Sequence, residues 1–149
     1  MKLVVQRVKM AAVEVDSAEV SRIGVGLLVL IGIEKGDTET DAIRFASKIA
    51  NLRIFNDEQG VMNLSVVAAG GEVMVVSQFT LAALTRKGHR PSYINAAGHE
   101  LAIPLYESFC EHVGKFIGRD VKRGIFGADM QVNLINDGPV TIIIDSNEL

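Results

Sequence analysis

Tryptophan is absent from this chain, and cysteine and proline are scarce: one Cys and three Pro in 149 residues. A single cysteine, Cys110, excludes an internal disulfide and fits a reducing compartment, so the cytoplasm is the expected location. Long apolar runs are missing too. The longest, Val25 to Ile33, is interrupted by Gly26 and Gly32 and falls far short of a membrane span. A strand-like alternation starts directly at the N-terminus, so no signal peptide is expected. Metal chemistry has little to work with, because His89, His99 and His112 are scattered and Cys110 has no second ligand cluster. A Walker loop, a dinucleotide glycine fingerprint and a Gly-x-Ser-x-Gly elbow are all lacking; Gly24-Val25-Gly26 precedes a strand, whereas the fingerprint follows one. No cofactor is implied.

What is present is aliphatic. Hydrophobic residues make up 48% and aromatics only 5%, which suits one domain over residues 1–149 with a compact Val/Ile/Leu core. The net charge of −3 argues against a broad, sequence-independent nucleic-acid surface. Two basic clusters could still form a local patch: Arg86, Lys87, His89 and Arg90, and Lys115, Arg119, Lys122 and Arg123. On the clusters alone, ordinary solvated charge around loops is the commoner explanation.

Periodicity supplies the elements. Leu3 to Val15 alternates as a strand, Asp16–Ser17 marks a turn, and Val25 to Ile33 reads as a strand covered on both faces. Asp37 or Thr38 can cap a helix running to about Leu52, with Ala42, Phe45, Ala46, Ile49 and Ala50 on its inner face. A turn at Asn56–Gly60, a short segment near Met62–Leu64 and a buried strand from Glu72 to Phe79 follow, then a basic loop from Thr85 to Pro91. Leu101, Leu105, Phe109, Val113 and Phe116 predict a second helix, in which Pro104 fits only near the start. Three closing strands are expected at Val121–Phe126, Met130–Ile135 and Val140–Ile144, the last two forming a hairpin through Asn136-Asp137-Gly138-Pro139. The fold class is therefore α+β: a mostly antiparallel sheet with two packed helices.

Two polar segments stand out against this packing. Ser77-Gln78-Phe79-Thr80 places three hydrogen-bonding side chains at the end of an apolar strand, where burial is costly unless they are paired. Strand-end capping and a binding site both explain them. Asn136-Asp137-Gly138-Pro139-Val140-Thr141 is either a tight hairpin or a device for presenting backbone carbonyls.

Taken together, these segments resemble the D-aminoacyl-tRNA deacylase family, also called D-tyrosyl-tRNA deacylases, over essentially the whole chain. Further matches are Gln6-Arg7-Val8, Ile23–Leu28, Lys48 with Leu52–Phe55, Met62–Ser65, Gly88 with Arg90-Pro91-Ser92, Leu105-Tyr106-Glu107, and Gly124 with Phe126–Met130. The resemblance implies a homodimer of barrel-like subunits with active sites at the interface. It also implies hydrolysis of the ester that joins a D-amino acid, or glycine on tRNA for alanine, to the 3′-terminal adenosine. Chiral proofreading would follow from a cis Gly138–Pro139 dipeptide reaching into the partner's pocket, with Arg7 orienting it. Ser77, Gln78 and Thr80 are the implied catalytic residues, Phe79 lines the opposite wall, and Phe126 is a candidate for stacking on adenine. Departures from the family pattern are Ala82–Ala83, His89, Pro104 and Arg123. They bear on RNA affinity and side-chain preference, not on the two core segments. A catalytically silent module that binds the charged tRNA end, or a purely structural dimer, would share much of this pattern.

Overall fold

The first strand sets the geometry of the molecule, because its alternation changes phase partway along. Strand β1 (Lys2–Val15) sends Leu3 and Val5 into one core cluster but Val8, Ala11 and Val13 into another. Odd-numbered residues thus face opposite sides before and after the middle of the strand. An irregularity at Val8–Met10, opposite Asn136 and Ile135, supplies the extra residue that inverts the pattern. The computed structural model describes residues 1–146.

Asp16 and Ser17, at φ 50° and 62°, turn β1 tightly into β2 (Ala18–Ile23). Strand β2 is mostly exposed, so its sequence carries no apolar alternation to reveal it. Strand β3 (Gly26–Gly32) is covered on both faces as its run of apolar residues predicts: Leu27, Val29 and Ile31 pack in one cluster and Leu28 in the other. Helix α1 (Glu39–Asn51) starts on Thr38, whose side chain forms a capping box with Asp41. The neighbouring Asp37 binds the Met1 ammonium at 2.6 Å and the Glu34 N–H at 2.7 Å instead.

A small hairpin of β4 (Phe55–Asn56) and β5 (Met62–Leu64) follows, then β6 (Glu72–Ser77), a 3-10 turn at Phe79–Ala82 and helix α2 (His99–Ile117). The short β7 (Lys122–Arg123) and the 15-residue β8 (Gln131–Asp145) complete the chain. The main sheet runs β2-β1-β3-β6-β7, with β8 on the other edge of β1. The α+β class, the two helices and the barrel-like sheet hold. The sheet is mixed, however: β1 pairs antiparallel with β2, β3 and β8, whereas β3–β6 and β6–β7 are parallel. Helices α1 and α2 pack together over one face, and the second cluster, with Met130, Val132 and Leu134, fills the concave side.

Several expected boundaries are corrected. Met130–Ile135 and Val140–Ile144 belong to one continuous strand, not a hairpin, because both halves pair with the same long β1. The Val121–Phe126 strand shrinks to Lys122–Arg123, and the strand from Glu72 ends at Ser77, where the chain tightens into the 3-10 turn. Helix α2 begins at His99, so Pro104 sits inside it, where it forfeits only the bond to the carbonyl of Glu100 in the first turn.

Candidate active site

Parallel strands β6 and β7 end on the same side of the sheet, and α2 starts there. Between them lies a cavity of about 590 Å³. One wall comes from the end of β6 and the turn after it: Val76, Ser77, Gln78 and Phe79. A second is the approach to α2, from Ala96 to His99, and a third is Phe126 to Met130 with Val132. The volume is within the roughly 300–1,000 Å³ of small-molecule sites.

The polar groups of this cavity are few. Tyr106 donates its hydroxyl to the Val75 carbonyl at 3.0 Å, and burial pushes its pKa up, so it stays a neutral donor. Gln78 donates Nε2–H to the Thr80 hydroxyl at 2.5 Å. Among the described residues, neither histidine nor carboxylate hydrogen-bonds Thr80, and His89 lies exposed in the basic loop. Phe126 touches two rings edge-on, with centroids 5.8 Å from His99 and 5.6 Å from Tyr106. Phe79 is 59% exposed and meets Tyr93 at 5.2 Å.

Ser77, Gln78, Phe79 and Phe126 are therefore brought together, and Thr80 is joined to them through Gln78. Arg7, Gly138 and Pro139 are not: none lines the cavity of this chain. They form a separate feature. Gln6 pairs with Thr141 and Val8 with Asn136, so Asp137 to Val140 bulge out opposite Arg7 alone. Arg7 is buried although charged. Its Nε donates to the Asp137 carbonyl at 3.1 Å and pairs with the Asp137 carboxylate at 3.2 Å. Its Nη1 donates to the Ile54 carbonyl at 2.6 Å and to Asn56 Oδ1 at 3.2 Å. Gln6 adds a bond from Nε2 to Asn136 Oδ1 at 3.1 Å. The Gly138–Pro139 bond is cis. Gly138 has φ +144°, and a Cβ there would lie 2.6 Å from the Val140 nitrogen, so only glycine fits without adjustment. Both Gly138 and Pro139 are exposed at the crest of the bulge.

Sequence reasoning missed His99, Asp129 and the Ala96–Gly98 approach as cavity residues. His99 was legible only as an isolated histidine, and the glycine before the helix, Gly98, was the one local sign of an N-terminus there. No group of three or more metal-ligating side chains occurs among the described residues, and no helix there is long and apolar enough to cross a membrane.

Comparison with known proteins assigns the chain. Residues 4–145 match the family model described as D-Tyr-tRNA(Tyr) deacylase. The chain is 60% identical to a D-aminoacyl-tRNA deacylase of Parabacteroides distasonis, over 98% of this chain and 97% of the relative. It is 56% identical to one from Dechloromonas aromatica, over the same shares. A solved structure titled c-Myc DNA Unwinding Element Binding Protein superposes with TM-score 0.92 at 44% identity, covering 98% of this chain and 99% of that one. A probable eukaryotic D-amino acid tRNA deacylase shares the fold, with TM-score 0.83 at 17% identity over 96% of this chain and 97% of that one. A match of this extent, on a fold that carries the cavity and the bulge described above, leaves one conclusion: the chain belongs to the D-Tyr-tRNA(Tyr) deacylase family.

Proposed function

We propose that this chain, acting as a single domain over residues 1–149, hydrolyses the ester of D-aminoacyl-tRNA and of glycine mischarged on tRNA for alanine. Water adds to the ester carbonyl, the bond from that carbon to the ribose oxygen breaks, and the ribose oxygen leaves protonated. The products are free amino acid and tRNA. The observation that carries the reading is the family match over residues 4–145, joined to a cavity that Ser77, Gln78, His99 and Asp129 help to line.

Rejection of L-substrates is assigned to shape. A D-residue's side chain projects where an L-residue has only hydrogen. A rigid wall near the α-carbon therefore admits one and refuses the other, because overlap with a wall that cannot relax costs more than a pocket gains by attraction. Gly138–Pro139 suits this role: proline fixes φ, and Gln6 and Arg7 hold Asn136 and Asp137, the residues that lead into it. Since the bulge does not reach its own chain's cavity, it serves that of a second copy, which makes the working unit a homodimer with composite sites. Glycine lacks a side chain, so the filter passes it.

The chemistry rests on positioning. Phe79 and Thr80 open the 3-10 turn, so their main-chain N–H groups have no carbonyl within it to bond. Those N–H groups stabilise the developing oxyanion, and the free 2′-hydroxyl of the terminal ribose assists water. Thr80 has no base to activate it, and its hydroxyl already accepts from Gln78. Ser77 and Gln78 hold the turn and the ester, Phe79 forms the wall facing the bulge, and Phe126 caps the adenine. Purified protein treated with chelator should release free amino acid from D-Tyr-tRNA. Thr80→Ala should keep activity within roughly tenfold, whereas a lost nucleophile costs on the order of 10⁶-fold in kcat. A tRNA ending in 2′-deoxyadenosine should be cleaved far more slowly. A Thr80→Ala enzyme that is dead, with the 2′-deoxy substrate cleaved normally, would reverse the assignment.

A further inference from the structure

Of the two basic clusters, one belongs to the mouth of the cavity. The loop from Leu84 to Ser92 is closed at its base by paired bonds, Leu84 N–H to the Ser92 carbonyl at 2.8 Å and Ser92 N–H to the Leu84 carbonyl at 3.0 Å. The leg before it carries Phe79. The leg after it carries Tyr93 and then Ala96 to His99, tied to β3 through Ala97 N–H to the Ile33 carbonyl at 3.0 Å. Both legs therefore line the cavity, and the loop is its rim.

Arg86, Lys87, His89 and Arg90 are all exposed on this rim, and no hydrogen bond or ion pair among the described residues engages them. At the base of the loop, Phe79 and Tyr93 present an exposed pair of rings, with Ile94 65% exposed beside them. Unpaired cations flanked by exposed aromatic rings suit single-stranded nucleic acid, whose phosphates meet the charges while its bases stack. On a chain of net charge −3 the rim is a local positive focus. In the other cluster, Lys122 and Arg123 form β7, and the remaining two cations are placed differently. Lys115 and Arg119 lie at the far end of α2, about 24 Å along the axis from His99, and Arg119 is occupied by the Gly70 carbonyl at 3.0 Å.

We infer that the Arg86–Arg90 rim clamps the single-stranded 3′ segment of tRNA, gripping the phosphates that precede the terminal adenosine, while the Lys115–Arg119 end of the molecule takes no part. The inference rests on the proposed activity, and its test separates the two. The triple variant Arg86→Gln, Lys87→Gln, Arg90→Gln is compared with wild type and with Lys115→Gln/Arg119→Gln. Two substrates are used: D-Tyr-tRNA and 3′-O-(D-tyrosyl)adenosine, which has no phosphate.

The rim variant should raise KM for D-Tyr-tRNA roughly tenfold with kcat little changed, and should cleave the adenosine ester within about twofold of wild type. Three phosphate contacts on a single strand contribute a slope of about +2 to log KM against log salt, so a fourfold rise in salt should penalise wild type about 16-fold more than the variant. The far-end variant should match wild type throughout. Equal losses on both substrates, or an unchanged salt slope, would overturn the clamp. Wild-type protein that cleaves neither substrate removes the proposed activity instead. The rim is then judged on uncharged tRNA, where a Kd that the triple variant fails to raise overturns it.

Discussion

Arg7 joins three segments: its own strand β1, the chain around Ile54–Asn56, and the bulge at Asp137. Its removal takes the donor from two main-chain carbonyls, the Asn56 amide oxygen and a carboxylate. Arg7→Met keeps most of the apolar stem, yet should lower unfolding free energy by about 1–3 kcal/mol, since it leaves the buried Ile54 carbonyl without its donor. Urea denaturation checks this, and a loss under about 1 kcal/mol would show the bulge to be held elsewhere. Cys110 makes a different residue-scale prediction. Burial pushes its thiol up to about 11, against an ordinary value near 9. A raised pKa favours the neutral form in the folded protein. The associated stability is thus present below about pH 9 and is lost as pH rises through 11. Wild type should lose on the order of 2–3 kcal/mol more than Cys110→Ala over that window. Parallel curves for the two proteins would mean the thiol does not sense its burial.

At the scale of elements, close approach of backbones decides more than propensity does. A Cβ on Gly26 would lie 2.0 Å from the Glu72 carbonyl oxygen, within the parallel register of β3 and β6. Gly26→Ala must push β6 away from β3 and should cost more than about 3 kcal/mol in thermal or urea unfolding. A near-neutral change would mean the strands are free to slide.

The elements also show what local pattern can and cannot reveal. Strands β1, β3 and helix α1 were readable because their apolar residues repeat with a clear period and Thr38 caps the helix locally. Asn136–Val140 was not, because a Gly-Pro pair between two apolar runs reads locally as a hairpin. Only the partner strand, with one residue opposing four, makes it a bulge in a continuous β8. For the same reason the cavity was half legible. Ser77–Phe79 betrayed itself as polar residues at an apolar strand end, while Ala96–His99 has no local signal and is assembled by the entry into α2.

At the scale of the molecule, β8 pairs on one edge only among the described residues, and it carries Ile135 and Ile143 at 54% and 72% exposure beside the Gly138–Pro139 crest. A composite site across two copies predicts complementation. Phe79→Ala damages the cavity wall and Gly138→Ala the crest, where a Cβ has no room. Each alone should lower kcat/KM for D-Tyr-tRNA by at least about tenfold. Co-refolded in equal amounts, half of the dimers are mixed and each mixed dimer has one intact site of two, so about a quarter of wild-type activity should return. Activity no higher than the mean of the separate variants would place the crest and the cavity in unrelated roles.

The central claim is that this site discriminates by shape at the α-carbon, and parallel deacylation of D-Tyr-tRNA, L-Tyr-tRNA and Gly-tRNA tests it most directly. The account predicts that the D-tyrosyl and glycyl esters are both cleaved and that the L-tyrosyl ester is cleaved at least about 100-fold more slowly. Cleavage of the L-ester at the rate of the D-ester would contradict it.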